Sequence, residues 1–496
     1  MNVSTQIIPS SPTTQGQQRP DHGEFICQAT DGLWVAIEKA LDNGFGLVFV
    51  VGADGALIGQ LTLHRMRAAL RDGLHLRHTT AAELAAPWEE ADAALPIVPV
   101  TDSHGRVISV ERRVSASLLP VAEPDLSRNE LRNLLDAFLS TWISSTGDYI
   151  LEFESHFSAR VDMTHGVATS NGTVSLHLAL AALGIGPGDE VIVPDLTFAA
   201  SANTVIHVGA RPVLVDVDPV TWCVSAEAIE RAVTPRTRII MPVHLFGRPA
   251  PMTEICDLAQ RHGLFVLEDC AEAHGARYDG RPIGSFSDVA SFSFFANKII
   301  TTGEGGMCVT RNPELASRMK MLRDHGMRPD RRYWHEEAGF NFRMTNLQAS
   351  IGCAQLQRMD DLLAMRDRVD ASYRAALADL PGVVFPPPLS SRHEPVTWFS
   401  CVLVSPEIRP LLIKACREAN IDLRPFVNAL STMPAYRRFA RKCPVSERLA
   451  ACGINLPTSR KVDENVVGRI ARIFEQVMSM PAAIASSEAF LRENGM

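Results

Sequence analysis

This 496-residue chain has no excess of basic residues, no CxxC pair and no long apolar run. Lys and Arg total 48 against 56 Asp and Glu, for a formal net charge of -8. Phosphate neutralisation needs clustered cations, so nucleic-acid binding is not expected. The ten cysteines are scattered. Without paired spacing they predict no zinc site, and they read as free thiols of a reducing compartment. The longest apolar stretches, such as 46–52, fall far short of the ~20 residues that span a bilayer. The first residues carry no basic segment followed by an apolar stretch, so a secretory signal is not expected. These absences point to a cytoplasmic protein with no membrane, nucleic-acid or metal partner.

At ~100–200 residues per domain, the length suggests about three structural units. A hydrophobic content of 46% supplies a large core. Residues 1–23, polar and rich in Ser, Thr, Gln and Pro, form an expected disordered lead. Residues 24–119 form the first unit. A helix over 33–41 and a strand over 46–51 come first. The turn Ala53-Asp54-Gly55, a strand over 57–61 and a helix over 64–70 follow. A weaker echo runs through 95–110. This order resembles the cystathionine-β-synthase-type (CBS) regulatory module, an α+β fold. Leu63 and His64 stand where such modules often carry an Asp. A packing or dimerisation unit without a ligand is the alternative reading.

Residues 120–128, with Pro120 and Pro124, suggest a linker. Beyond it the pattern becomes a long α/β alternation. Strands are expected over 190–193, 212–217, 239–243, 264–267, 290–294 and 307–310, and helices over 173–183, 225–233 and 252–261. Such alternation implies a mostly parallel sheet covered on both faces. The large domain is expected over 129–359, and a smaller α+β domain over 360–496. The smaller domain opens on a helix over 360–379.

Glu268 and Asp269 end one of these strands, where open α/β sheets place their ligands. An Asp there can keep a heteroaromatic nitrogen protonated, as pyridoxal 5′-phosphate (PLP) requires of its electron sink. Lys298 closes Ser291-Phe292-Ser293-Phe294-Phe295-Ala296-Asn297-Lys298 and precedes Thr301-Thr302-Gly303-Glu304-Gly305-Gly306. A desolvated lysine at a strand end is a candidate Schiff-base nucleophile, and the glycines allow close backbone approach to a cofactor. Ser170-Asn171-Gly172-Thr173 opens an apolar helix whose free N–H groups suit a phosphate. Ser293 is a second phosphate ligand candidate, and Phe198 is a candidate ring-stacking residue. A snorkelling lysine, an N-cap and a core phenylalanine are the structural alternatives.

Together these stretches resemble the DegT/StrS-type sugar-nucleotide aminotransferases. The resemblance also runs through Ser145-Thr146-Gly147-Asp148, Glu152-Phe153-Glu154, 186–194, 267–275 and 339–355, and covers about 131–474. It implies the fold-type I PLP-dependent aminotransferase architecture. It also implies Lys298 as the PLP-bonding lysine and Asp269 as the pyridinium partner. Glu272 would face the ring hydroxyl, and Gly172, Thr173 and Ser293 would hold the phosphate. Asn341 would reach the cofactor phosphate of a neighbouring subunit, which implies a homodimer with shared sites. Met241-Pro242-Val243-His244-Leu245-Phe246-Gly247, 297–306, and Gly326-Met327 with Arg331-Arg332-Tyr333-Trp334 point within the family to a particular branch. Its members aminate GDP-4-keto-6-deoxy-D-mannose with L-glutamate as donor. Arg328, Arg331 and Arg332 could meet the nucleotide diphosphate, with a solvated surface patch as the alternative. Ser431 stands where the family usually has a substrate-side His, and Ala429 replaces a Pro. The alternatives are a UDP- or dTDP-keto-sugar aminotransferase and a PLP-binding regulatory protein. The family's dehydratase carries His at the lysine position, so Lys298 argues against that activity.

Overall fold

The computed structural model describes residues 22–74, 78–87, 97–112 and 118–493. The chain divides into two compact units, 1–116 and 117–496. In the first, strands Ile26–Gln28, Leu47–Val51 and Leu57–Thr62 form a small sheet, the first pair parallel and the second antiparallel. Helices Leu33–Asp42 and Leu63–Arg71 accompany it, and Ile97–Thr101 pairs with Val107–Arg112 as a hairpin. Of the expected lead, 1–21 lie outside the described residues, and His22–Phe25 forms a 3-10 turn.

The second unit is built on a seven-stranded sheet. Its order is His165–Thr169, Gly306–Thr310, Val289–Ser293, Phe265–Asp269, Thr237–Ile240, Glu190–Pro194, Arg211–Val215. All strands but Gly306–Thr310 run in one direction. The central strands are buried on both faces, so they read as continuous apolar runs. Side chains alternate between the two covering layers. Val191 and Val193 pack with Leu176 and Ala179 of helix Gly172–Ala182, while Ile192 packs with Ile255 and Leu258 of helix Met252–His262.

A second, smaller sheet pairs Ser400–Leu403 with Gly453–Leu456, and Gly453–Leu456 with Arg424–Pro425. Helices Met359–Leu377, Arg409–Glu418 and Glu464–Met478 contribute Tyr373, Leu412 and Phe474 to its core. Among the described residues no helix is long and apolar enough to cross a membrane. All ten cysteines are free.

The stretch expected to be a linker is instead a strap of the second unit. Leu119 bonds Asn420 and Asp422 through its backbone, Val121 is fully buried, and Thr458 N–H donates to the Val121 carbonyl at 3.0 Å. The acidic residues of this stretch are partnered. Asp125 pairs with Arg358 at 2.5 Å and Arg460 at 2.6 Å, and Glu123 with Lys461 at 2.7 Å. Arg358 also holds Glu130 at 2.9 Å, the residue that closes a capping box with Ser127 on helix Arg128–Leu139. Gln355 donates to Glu130 at 2.8 Å and accepts from Thr301 N–H at 3.2 Å, which links this node to the loop beyond strand Val289–Ser293.

Breaking such a half-buried node leaves charges unpaired. Arg358→Ala is expected to cost about 3 kcal/mol, read from the shift of the urea unfolding midpoint. Burial raises the Asp125 pKa, but Arg460 and Arg358 outweigh it and hold the carboxyl below its ordinary 3.8. A depressed carboxyl contributes stability above its unfolded value and loses it as pH falls through the folded one. The urea midpoint of Asp125→Asn should therefore fall less steeply than wild type below about pH 4.

Candidate active site

The carboxyl ends of the parallel strands deliver one side chain after another to the same edge. Asp269, at the end of Phe265–Asp269, accepts from the Ser201 hydroxyl at 2.8 Å and from Ala271 N–H at 3.2 Å. Burial pushes its carboxyl above the ordinary value, while those donors and the Lys298 charge pull it back. Its neighbour Glu268 points the other way. It accepts from Gly284, Phe286 and Ser287 N–H groups, from the Ser287 hydroxyl and from His244. Burial raises the Glu268 pKa, but His244 and these donors outweigh it, so Glu268 is held below its ordinary value. His244 takes Ala250 N–H on Nδ1 at 3.0 Å, so its Nε2–H donates to Glu268 at 3.1 Å. Cys270 lies close to this pair, but both imidazole nitrogens are occupied and none is left for a metal.

Lys298 lies five residues beyond strand Val289–Ser293, its side chain 11% exposed. Its Nζ is 3.8 Å from Glu272 and 3.9 Å from the centre of the Trp398 ring. Burial lowers the pKa of the amine, and Glu272 and Asp269 act against that shift. A lowered pKa leaves more neutral amine, the nucleophilic form. Burial raises Glu272 in turn. Glu272 also accepts from Phe246 N–H at 3.0 Å. Phe246 sits at φ 52°, a left-handed conformation rare for a residue with a side chain. Such strain persists where surrounding packing fixes the backbone, here between Trp222, Trp398 and Phe426.

Gly172 starts the helix Gly172–Ala182, whose N-cap Asn171 accepts from Val174 N–H. A Cβ on Gly172 would lie 2.6 Å from Ser293 Cβ, so glycine is what lets the helix start meet the strand end. Thr173 is exposed beside them. Phe198 is 61% exposed. Asn341 is exposed too, and accepts from the Arg343 guanidinium at 3.0 Å. Its neighbours Phe340 and Phe342 stack at 4.5 Å and pack on His177 of that same helix, which fixes the loop carrying Asn341.

The structure thus gathers Lys298, Glu272, Asp269, Gly172 and Ser293 around one strand edge. The proposed substrate residues hold other partners. Arg331 lies over Trp334 at 3.8 Å and Arg332 over Tyr333 at 5.0 Å, all four exposed. Arg328 is neutralised by Asp330 and Glu336. The Ser431 hydroxyl and N–H both donate to Asp195, at 2.8 and 2.7 Å, so that position braces a strand end. Ser201 and Trp398 were not foreseen. Their signal is spatial, since each acts on a residue far along the chain.

These groups can hold PLP. Among the described residues Asp269 is a buried carboxylate without a direct cationic partner, which a protonated ring nitrogen would supply. The helix start at Gly172 with Ser293 offers N–H and hydroxyl donors for a phosphate, and Lys298 offers the amine.

A profile of the DegT/DnrJ/EryC1/StrS aminotransferase family matches residues 124–475. The chain is 46% identical over 364 residues to GDP-perosamine synthase of Caulobacter vibrioides, covering 73% of this chain and 98% of that one. It is 40% identical over 346 residues to GDP-perosamine synthase of Vibrio cholerae, covering 69% and 94%. A Streptococcus pneumoniae chain solved in its PLP form superposes with a TM-score of 0.69 at 28% identity, covering 73% of this chain and 98% of that one. The chain belongs to the DegT/DnrJ/EryC1/StrS aminotransferase family, and its cofactor is pyridoxal 5′-phosphate.

Proposed function

We propose that this enzyme moves the amino group of L-glutamate to C4 of GDP-4-keto-6-deoxy-D-mannose, giving GDP-perosamine. The observation that carries the reading is the desolvated Lys298 amine between Glu272 and Trp398, with Asp269 at the neighbouring strand end. The similarity to two GDP-perosamine synthases supports the choice of sugar.

PLP, when bound, supplies the electron sink for the carbanion chemistry. Asp269, oriented by Ser201, would hold the ring nitrogen's proton. Gly172, Thr173 and Ser293 would anchor the phosphate, and Phe198 and Glu272 would contact the ring. Lys298 Nζ removes the proton from the α-carbon of glutamate and delivers a proton to C4 of the sugar. The Arg331–Trp334 and Arg332–Tyr333 pairs present flat cations and aromatic faces, a surface suited to a nucleoside diphosphate. The N-terminal unit lies outside the family match, and we read it as a regulatory or packing module.

A homodimer is part of the proposal. Phe138, Leu139, Trp142, Ile143 and Leu151 leave an apolar surface exposed on and beside helices Arg128–Leu139 and Asp148–Arg160. Patches of this kind mark association surfaces. Asn341, exposed on its anchored loop, would then serve the partner's phosphate.

Borohydride should fix PLP on Lys298, as mapped by peptide mass spectrometry. Lys298→Ala should lose more than about a thousandfold in kcat. Asp269→Ala should keep bound PLP and lose at least about a hundredfold, because the ring nitrogen is no longer held protonated.

The substrate reading is tested by incubating the PLP-loaded enzyme and L-glutamate with GDP-, UDP- and dTDP-linked 4-keto-6-deoxy sugars. Amination is expected to favour the GDP sugar by at least about tenfold in kcat/KM. Preference for a UDP or dTDP sugar would replace the proposed substrate.

Subunit mixing tests the shared site. Lys298→Ala and Asn341→Asp chains, each impaired alone, should regain activity in heterodimers, since one of the two sites recovers both wild-type groups. No gain after verified subunit exchange would count against Asn341 acting across the interface.

A further inference from the structure

Lys298 is gripped from outside its own strand. The loop that carries it folds back, with Thr302 N–H on the Phe294 carbonyl at 2.9 Å and the Thr301 hydroxyl on the same carbonyl at 3.0 Å. Two side chains from beyond residue 359 hold two more of its carbonyls. The Trp398 indole N–H donates to the Asn297 carbonyl at 2.7 Å. The Arg366 guanidinium donates to the carbonyls of Trp398 at 2.7 Å, Thr458 at 3.4 Å and Lys298 at 3.5 Å.

Arg366 belongs to helix Met359–Leu377 and is only 4% exposed. Among the described residues its Nε–H has no partner, and the carboxylate of Asp125 acts on it only from beyond ion-pair contact. An unpaired buried cation is costly. Two of the three carbonyls it serves belong to Lys298 and to the tryptophan facing Lys298.

Trp398 closes a circuit around the amine. Its ring lies 3.9 Å from Lys298 Nζ and stacks on Phe246 at 6.0 Å and 20°. Phe246 N–H binds Glu272, which returns to Nζ at 3.8 Å. The Trp398 segment is itself pinned. Val396 N–H donates to the Gly247 carbonyl at 3.0 Å, and the Thr397 hydroxyl to Asp367 at 2.8 Å. A Cβ on Gly247 would collide with the Val396 carbonyl, so the two segments touch backbone to backbone.

We propose that Arg366 and Trp398 are positioning residues for Lys298. The guanidinium fixes the backbone of both, and the indole face seats the amine where the cofactor aldehyde is met. The proposal rests on Lys298 being the lysine that bonds PLP. A lysine side chain has four flexible bonds and high rotamer entropy. A ring on one side and a carboxylate on the other remove most of that freedom before the cofactor arrives, so bond formation needs less reorganisation. The titratable groups around the amine are Glu272, Asp269 and His274, with Arg366 behind the backbone. Burial, with a contribution from Lys298, holds His274 down at about 3, so His274 is neutral over the working pH range.

The test uses the full-length chain, freed of PLP and then reloaded, with folding of each variant checked by circular dichroism. The rate of PLP bonding is followed by visible absorbance across pH, and borohydride trapping maps the lysine. Trp398→Leu and Arg366→Met should slow bonding to Lys298 by about ten- to a hundredfold and displace its pH profile. Trp398→Phe, which keeps an aromatic face, should recover to within about threefold of wild type. Folded Trp398→Leu and Arg366→Met chains with the wild-type rate and pH profile would overturn the proposal. Should Arg366→Met not fold, Arg366→Lys decides, since it keeps the charge and loses the planar fork. A slowed rate there supports the clamp, and a wild-type rate refutes it. A borohydride label on another lysine in the wild type would instead overturn the reading of Lys298 itself.

Discussion

Three ionisable side chains, Lys298, Asp269 and Glu272, share one edge of the sheet from which water is largely excluded. Burial presses the amine towards its neutral form and both carboxyls towards theirs, while their mutual attraction opposes it. In such surroundings small displacements change which form prevails, because charge interactions fall off with distance in a poorly screening medium. The site therefore depends on fixed positions. The strained backbone at Phe246, the glycine contact between Gly172 and Ser293 and the hydroxyl of Ser201 all restrict movement around those three groups.

The sheet supplies that rigidity through its alternation. Glu268 and Asp269 are adjacent acids with opposite duties, because successive residues of a strand face opposite sides. Glu268 is saturated by His244, Ser287 and three backbone N–H groups, and it locks the turn 284–287 against the strand. Asp269 keeps its carboxylate towards the lysine, with one hydroxyl and one N–H as donors. The saturated acid is held below its ordinary pKa and the sparsely served one above it. Donor count separates structural support from chemical availability in two residues of the same burial.

Much of this was legible in the chain itself. The apolar strands, the helix at Gly172 and the placement of Asp269 and Lys298 beyond strand ends follow from short-range pattern and motif spacing. Strand His165–Thr169 was not anticipated. Its sequence, His-Gly-Val-Ala-Thr, carries no long apolar run and includes a glycine, and Gly166 is there because helix Asp148–Arg160 packs against its backbone. The strap at 118–125 reads as a linker because two prolines look like a tether until the distant backbone and charged partners of the segment are known. Ser201 and Trp398 were invisible for a related reason. Their partners lie 68 and 101 residues away, and no local pattern records such a contact.

The same strap sets an order of events for a chain made from its N-terminus. Leu119 and Val121 find their backbone partners at 420–422 and 458, and Asp125 finds Arg460. More than two-thirds of the polypeptide must therefore be synthesised before these residues can settle, whereas the unit ending near 116 has its partners at hand much earlier. Long-range closures of this type slow folding and leave intermediates with exposed apolar surface. A nascent chain of this enzyme thus passes through a long stage in which its first unit is complete while the future site, with Val121 and the apolar strands still uncovered, depends on sequence not yet made.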